Sequence, residues 1–276
     1  MTQRKKRKKK AAGRRSRGRM GLPEKLLLVV LGCGFLFCGW KLFGILAEYR
    51  AGTQEYSSLA GRYVTQETQE SRAEQEQSRS GEFPQISVDY DALTAANGDF
   101  RAWLVIPVLD LEYPVVQGTD NDYYLTHTFE KQTNSSGAIF MDSVSSPDFS
   151  DYNTFIYGHN MKNGSMFGSL KSFVREEQLC GSDPYFYLFT KEATYQYRIV
   201  SYYVTQDQSD TYYLPAGAQD AADYRERMEK KSLYQSDAET EQAPMVTLST
   251  CYGASGSPDR FVVHGVLTQS RANGAE

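Results

Sequence analysis

The chain changes texture three times along its length. Residues 26–47, "LLLVVLGCGFLFCGWKLFGILA", are apolar apart from Lys41. As a helix at 1.5 Å per residue this run reaches roughly 33 Å, enough to cross a bilayer core of about 30 Å. Residues 48–82 first place Tyr49, Tyr56, Leu59 and Tyr63 at a spacing compatible with one helical face. They then turn wholly polar in "TQETQESRAEQEQSRSGE" before Pro84. That pattern predicts a solvated helical stalk with a flexible end over 48–84. "SVDYDALTAANGDF" predicts a short helix, capped by Ser87 or Asp89 and closed near Gly98.

From Trp103 onward, short β-rich runs alternate with turn residues. They predict strands near 103–106, 111–116, 137–141, 153–158, 185–190, 193–205, 245–251 and 260–268. Two helical inserts interrupt them: "SMFGSLKSFV", opened by Ser165, and "AQDAADYRERMEKKSLY". No period of 20–50 residues repeats. Eight or so short strands with few helices predict a closed or nearly closed β-barrel, with a sandwich as the alternative.

Charge sharpens the division. Residues 1–47 carry thirteen Lys/Arg and one acid, whereas residues 48–276 carry seventeen Lys/Arg and thirty-three acids. A basic run such as "RKKRKKKAAGRRSRGR" could serve as a nucleic-acid arm, but the apolar span directly after it points to a membrane. Under the positive-inside rule, residues 1–25 form a cytoplasmic tail, 26–47 a signal-anchor, and the rest lies outside the cell. A cleaved signal peptide would have a shorter apolar core and an A-x-A-like site, which this sequence lacks. No nucleic-acid partner is expected.

Of the four cysteines, Cys33 and Cys38 lie in the apolar span and Cys180 and Cys251 in the exported part. The latter two could form a disulfide, which would silence Cys251 as a nucleophile. As a free thiol near its ordinary pKa of about 8.5, a cysteine needs a base or cationic neighbour to react at pH 7. Three histidines are available. His127 sits among polar and aromatic residues, and His264 lies inside the apolar run "RFVVHGVL", where a satisfied core histidine is the default. His159 follows "TFIYG" into a loop with two asparagines and two glycines, a setting that presents functional groups. If 245–251 and 260–268 pair as antiparallel neighbours, Arg260 meets Cys251 and His264 stands about 13 Å away along the strand. Such pairing favours His159 as the proton carrier and gives Arg260 the fork of donors that can stabilise an oxyanion. A surface pair of Arg260 with Asp259 is the plainer reading of the arginine.

These residues resemble the sortases. "TLSTC" matches their TLxTC signature, and "IYGHNMKNGSMFGSL" is similar to the histidine segment of class B sortases. "NDYYL", "GAIFMD" and "RFVVHGVL" extend the similarity over residues 85–268. The resemblance implies a mainly β fold, the sortase-type eight-stranded closed barrel over 85–270. N-terminal helices and a helix between strands six and seven, near 218–233, belong to that pattern. It implies Cys251 as nucleophile, His159 as acid/base and Arg260 as oxyanion or substrate stabiliser. Ser249, Asn121 and Tyr124 are weaker candidates for lining the substrate groove. The implied reaction is transpeptidation: cleavage after Thr in a C-terminal sorting signal (NPQTN-like or (S/N)PxTG-like), then transfer to a peptidoglycan-precursor amine or a pilin. No metal or organic cofactor is implied. The rivals are a papain-like cell-wall hydrolase, whose cysteine would precede its histidine at a helix N-terminus, and an inactive surface-binding domain.

Overall fold

The computed structural model describes residues 21–66, 81–176, 178–236, 243–254 and 256–273. It divides into two compact units, residues 1–47 and 48–276. In the first, the helix Leu22–Tyr63 begins next to Pro23 and carries the apolar run, exposed throughout, long and apolar enough to span a bilayer. Of the cytoplasmic tail expected over 1–25, residues 1–20 fall outside the described residues and 22–25 already belong to this helix; the polar stretch 67–80 also falls outside.

In the second unit, Gly52, Tyr56 and Leu59 of the same helix are buried. The face expected to be solvated is therefore packed. Tyr56 donates from its hydroxyl to the Gly137 carbonyl at 2.6 Å and accepts from the Phe129 amide. The reason is apolar area, since a buried Leu or aromatic ring contributes about 1.5–3 kcal/mol relative to its exposed state. A two-stranded sheet follows, in which β1 (Val64–Gln66) pairs antiparallel with β2 (Ile86–Val88). Neither of these two short strands, each beside a polar stretch, is expected from the sequence. Asp89 caps the helix Tyr90–Ala96, accepting from the Ala92 amide, and the helix closes on Asn97 rather than Gly98.

Eight strands then close a barrel: β3 (Phe100–Ile106), β4 (Leu111–Val116), β5 (Ile139–Met141), β6 (Asn153–Tyr157), β7 (Tyr185–Phe189), β8 (Ala193–Gln206), β9 (Met245–Cys251) and β10 (Asp259–Ala272). Their order around the barrel is β10-β8-β7-β3-β4-β5-β6-β9, which excludes the sandwich. The pairs β4–β5 and β6–β9 are parallel and the others antiparallel. The helix Ala218–Lys231, between the sixth and seventh barrel strands, buries Ala221, Tyr224, Arg225 and Met228 along one face. Tyr224 and Met228 join Tyr203, Met245, Val262 and Val266 in a small outer core. The insert expected over 165–174 is a 3-10 turn, Phe167–Lys171, running into the helix Ser172–Arg175. Met166, at φ 54°, precedes it, and Ser165 donates to Asn163 instead of capping it.

Candidate active site

Three strands build the site. β6 runs parallel to β9 with Tyr157 level with Ser249. Beyond that pair, the Gly158 amide donates to the Ser249 carbonyl at 3.2 Å and Thr250 Oγ1 donates to the Gly158 carbonyl at 2.7 Å. Asn160 Nδ2 then donates to the Cys251 carbonyl at 2.7 Å. His159 is thus held between two residues tied to the end of β9. Gly158 admits no side chain, because a Cβ there would lie 2.4 Å from Ile139 Cδ1 and 2.8 Å from the Phe167 ring. On the other flank, antiparallel β10 sets Arg260 directly opposite Cys251 and His264 opposite Thr247.

Cys251, His159 and Arg260 open onto one cleft of about 550 Å³, which Asn121, Leu125, Asp142, Tyr157, Asp207, Tyr212 and Ser249 also line. Cys251 is exposed and Cys180 is buried; both are free thiols, so no disulfide joins them. Burial pushes the Cys180 thiol up to about 12, which makes it inert at neutral pH. His159 Nε2 lies 2.7 Å from the Leu125 carbonyl oxygen. A carbonyl only accepts, so Nε2 carries a proton and Nδ1 is the nitrogen that can take one up.

Arg260 is pinned, with Nη1 donating to the Ser257 and Asp259 carbonyls at 2.9 Å each and Nη2 to Asp207 Oδ2 at 3.0 Å. Its ion-pair partner is therefore Asp207, while the Asp259 carboxylate accepts from Ser257. Five donors less these three leave Nε–H and one Nη2–H available among the described residues.

The other two histidines lie apart from this chemistry. His264 is fully buried, between Thr247 Oγ1 at 2.8 Å and the Tyr203 hydroxyl at 3.1 Å. His127 stacks on Tyr123 with ring centroids 4.1 Å apart.

Of the weaker candidates, Ser249 lines the cleft and its hydroxyl meets Tyr212 at 2.7 Å. Asn121 lines it too. Tyr124 does not: its ring is 1% exposed, and its hydroxyl donates to Asp99 at 2.7 Å and accepts from Asn97. An apolar ring beside a site motif gained more from the core than from the cleft. Five of these cleft residues carry no site reading from the sequence. Leu125, Tyr157 and Asp142 lie inside recognised motifs, but Asp207 and Tyr212 belong to a polar stretch with no local signal. Burial raises the pKa of Tyr157 and of Tyr212, and the Asp142 carboxylate adds to the Tyr157 shift, so both stay protonated at neutral pH. A smaller hollow of about 260 Å³, between 81–86 and 105–112, contains no cysteine or histidine.

Comparison with known proteins agrees with this geometry. The sortase domain model matches residues 104–268. A sortase B from Listeria monocytogenes is 30% identical over 234 residues, 83% of this chain and 89% of that protein. The chain belongs to the sortase family, in its class B branch. A Staphylococcus aureus sortase B is 28% identical over 187 residues, 64% of this chain and 73% of that one. Among solved structures, a sortase B of Bacillus anthracis in complex with AAEK1 superposes with a TM-score of 0.65 at 29% identity, covering 82% of this chain and all of that one. A substrate complex of S. aureus sortase B gives a TM-score of 0.67 at 25% identity, covering 81% and 99%. Sortases are cysteine transpeptidases of the cell surface that anchor surface proteins, and this chain is an enzyme of that kind.

Proposed function

We propose that Cys251 is the nucleophile, His159 the acid/base and Arg260 the oxyanion stabiliser of this transpeptidase. The observation that supports this assignment is the register of β9 and β10, which sets Arg260 opposite Cys251, with His159 on the same cleft. Cys251 passes its thiol proton to His159 Nδ1, and Sγ attacks the carbonyl carbon of a Thr in a C-terminal sorting signal, NPQTN-like or (S/N)PxTG-like. The two free N–H groups of Arg260 meet the developing oxyanion. As the tetrahedral intermediate collapses, His159 gives a proton to the departing amine and a thioacyl enzyme remains. A peptidoglycan-precursor amine then attacks the thioester, with His159 accepting its proton and returning it to Cys251 Sγ as the C–S bond breaks. Ser249, held by Tyr212, and Asn121 line the groove that takes the signal.

The apolar helix anchors the enzyme with residues 1–25 in the cytoplasm and 48–276 outside. A papain-like course is disfavoured because Cys251 ends a strand and follows the histidine in the chain.

Two measurements test this. Incubation with sorting-signal peptides should yield a mass increment on Cys251 equal to the acyl fragment, cleaved after Thr; an unmodified Cys251 with every such peptide overturns the reaction. Protease added to wall-stripped cells should remove the globular unit; its protection overturns the orientation.

A further inference from the structure

A transpeptidase seats two substrates around one thiol, and in the thioacyl state the first of them occupies the cleft. A second recess, of about 300 Å³, lies beside the cleft and is lined by Asn160, Lys171, Val174, Arg175, Tyr252 and Gly253. Asn160 directly follows His159, and Tyr252 directly follows Cys251. The recess meets the cleft at the hydrogen bond from Asn160 Nδ2 to the Cys251 carbonyl. Consecutive Cα atoms are about 3.8 Å apart, so a group held in the recess lies on the order of 10 Å from the Cys251 sulfur.

The charge of this recess is one-sided. Lys171 ends the 3-10 turn Phe167–Lys171, and Arg175 ends the helix Ser172–Arg175 that continues it. Residues four apart share a helical face, and like charges so placed repel. No acidic side chain lines the recess, and among the described residues neither cation forms an ion pair or donates a hydrogen bond. They therefore serve neither a surface salt bridge nor the carbonyls of their own helix end. Lys171 is partly buried, and that burial together with the Arg175 charge lowers its pKa. An anion seated between the two relieves the repulsion.

We propose that this recess is the acceptor site, and that Lys171 and Arg175 take a carboxylate of the incoming peptide amine. The assignment rests on the reaction proposed above. A guanidinium offers parallel N–H groups that match the two oxygens of a carboxylate, and an ammonium adds a point charge. A carboxylate held there leaves a nitrogen roughly two to three residues away within reach of the thioester. The acceptor class is thus a peptide amine with a free carboxylate close to its attacking nitrogen, not an amine of any kind. A phosphoryl group suits the same two cations, and the test separates it from a carboxylate.

The experiment preloads Cys251 with a sorting peptide and resolves the thioacyl enzyme with glycine peptides of increasing length. Each peptide is supplied as the free acid and as the C-terminal amide, at fixed ionic strength. In the wild type the acid should outperform its amide by about three- to tenfold in kcat/KM, through KM. The ratio should peak at roughly two to three residues. Lys171→Gln and Arg175→Gln should each reduce it, and the double variant should abolish it. Lys162→Glu, exposed in the same segment but outside the recess, should leave it unchanged. Acylation by the sorting peptide and the melting temperature should stay at wild-type values in all of them, because that half-reaction uses no acceptor. A wild type resolved equally by acids and amides, a thioacyl enzyme that no peptide of the series resolves, or a folded double variant that keeps the ratio overturns the assignment alone. Inhibition of transfer by inorganic diphosphate that disappears in the double variant, without any carboxylate preference, gives the recess to a phosphoryl group and also overturns it. A wild type that no sorting peptide acylates overturns the underlying reaction and the assignment with it.

Discussion

The ladder between β9 and β10 has an open end and a closed middle, and the same residue types mean different things in each. At the open end Arg260 faces Cys251, which is exposed. Four residues further along β10, His264 faces Thr247, and both are fully buried beneath the helix Ala218–Lys231. His159, which lies outside the ladder, reaches the open end from a partly exposed loop. In the assignment proposed above, reactivity follows access and hydrogen-bond partners more than residue identity. His264 is satisfied on both nitrogens, whereas His159 has one nitrogen on a carbonyl and the other left to carry a proton.

The sharpest way to break this comparison is at the two cysteines of the globular unit. Cys251→Ala should remove thioacyl formation altogether, since deleting a nucleophile costs on the order of 10⁶ in rate, with no loss of stability at an exposed position. Cys180→Ala should do the reverse, keeping the rate and lowering stability by about 1 kcal/mol as a small buried group is lost. Mass-spectrometric trapping and thermal melts read the two effects; loss of trapping in a folded Cys180→Ala would overturn the division.

Next come the histidines. His159→Ala should slow both acylation and transfer by about 10²–10⁴, the range for a positioned acid/base. His264→Ala should leave the rate of the folded fraction unchanged. Single-turnover kinetics on folded protein decides, and the opposite pattern would mean the buried histidine is the proton carrier.

Arg260 tests the open end with a smaller effect. Arg260→Ala should lower acylation by about 10²–10³, as when one oxyanion donor is removed. Arg260→Lys should recover part of the loss, because a point charge lacks the planar fork. Asp207→Asn should cost about tenfold: the charge partner is gone, yet the carbonyls of Ser257 and Asp259 still hold Nη1. Full acylation by a folded Arg260→Ala would remove arginine from the mechanism.

How far these differences could be read from the sequence depends on how local their causes are. The pairing of Cys251 with Arg260 was legible because a strand ends on one and restarts on the other, and a two-fold side-chain period carries the rest. His159 was legible as a post-strand residue in a small-residue loop. What escaped depends on tertiary closure. Asp207 and Tyr212 reach the cleft only once the segment after β8 folds back to meet Arg260 on β10 and Ser249 on β9, and nothing in "TQDQSDTYY" marks them. Tyr124 was misplaced because its neighbours belong to the site while its own ring belongs to the core. The helical spacing of Tyr56 and Leu59 was visible, but the partners of Tyr56, Phe129 and Gly137, lie more than seventy residues away.

The last effect is one of stability rather than rate. Burial, aided by the positive charge of Lys231, depresses the pKa of His264 to about 3, against an ordinary value of 6.5. The unfolded chain therefore binds a proton between those values that the folded chain does not. Stability attributable to this site is fully present above pH 6.5 and is lost as pH falls toward about 3. The limiting slope is about 1.4 kcal/mol per pH unit. Carboxylates elsewhere also titrate in this range, so the informative quantity is a difference between proteins. His264→Gln removes the titration while keeping a polar group of similar reach beside Thr247 and Tyr203. Its denaturation free energy should sit below the wild-type value at pH 7, and the gap should narrow steadily from pH 6 to pH 4. Parallel curves across that range would show that the buried histidine carries no linked proton, and the contrast between the closed middle and the open end would then rest on access alone.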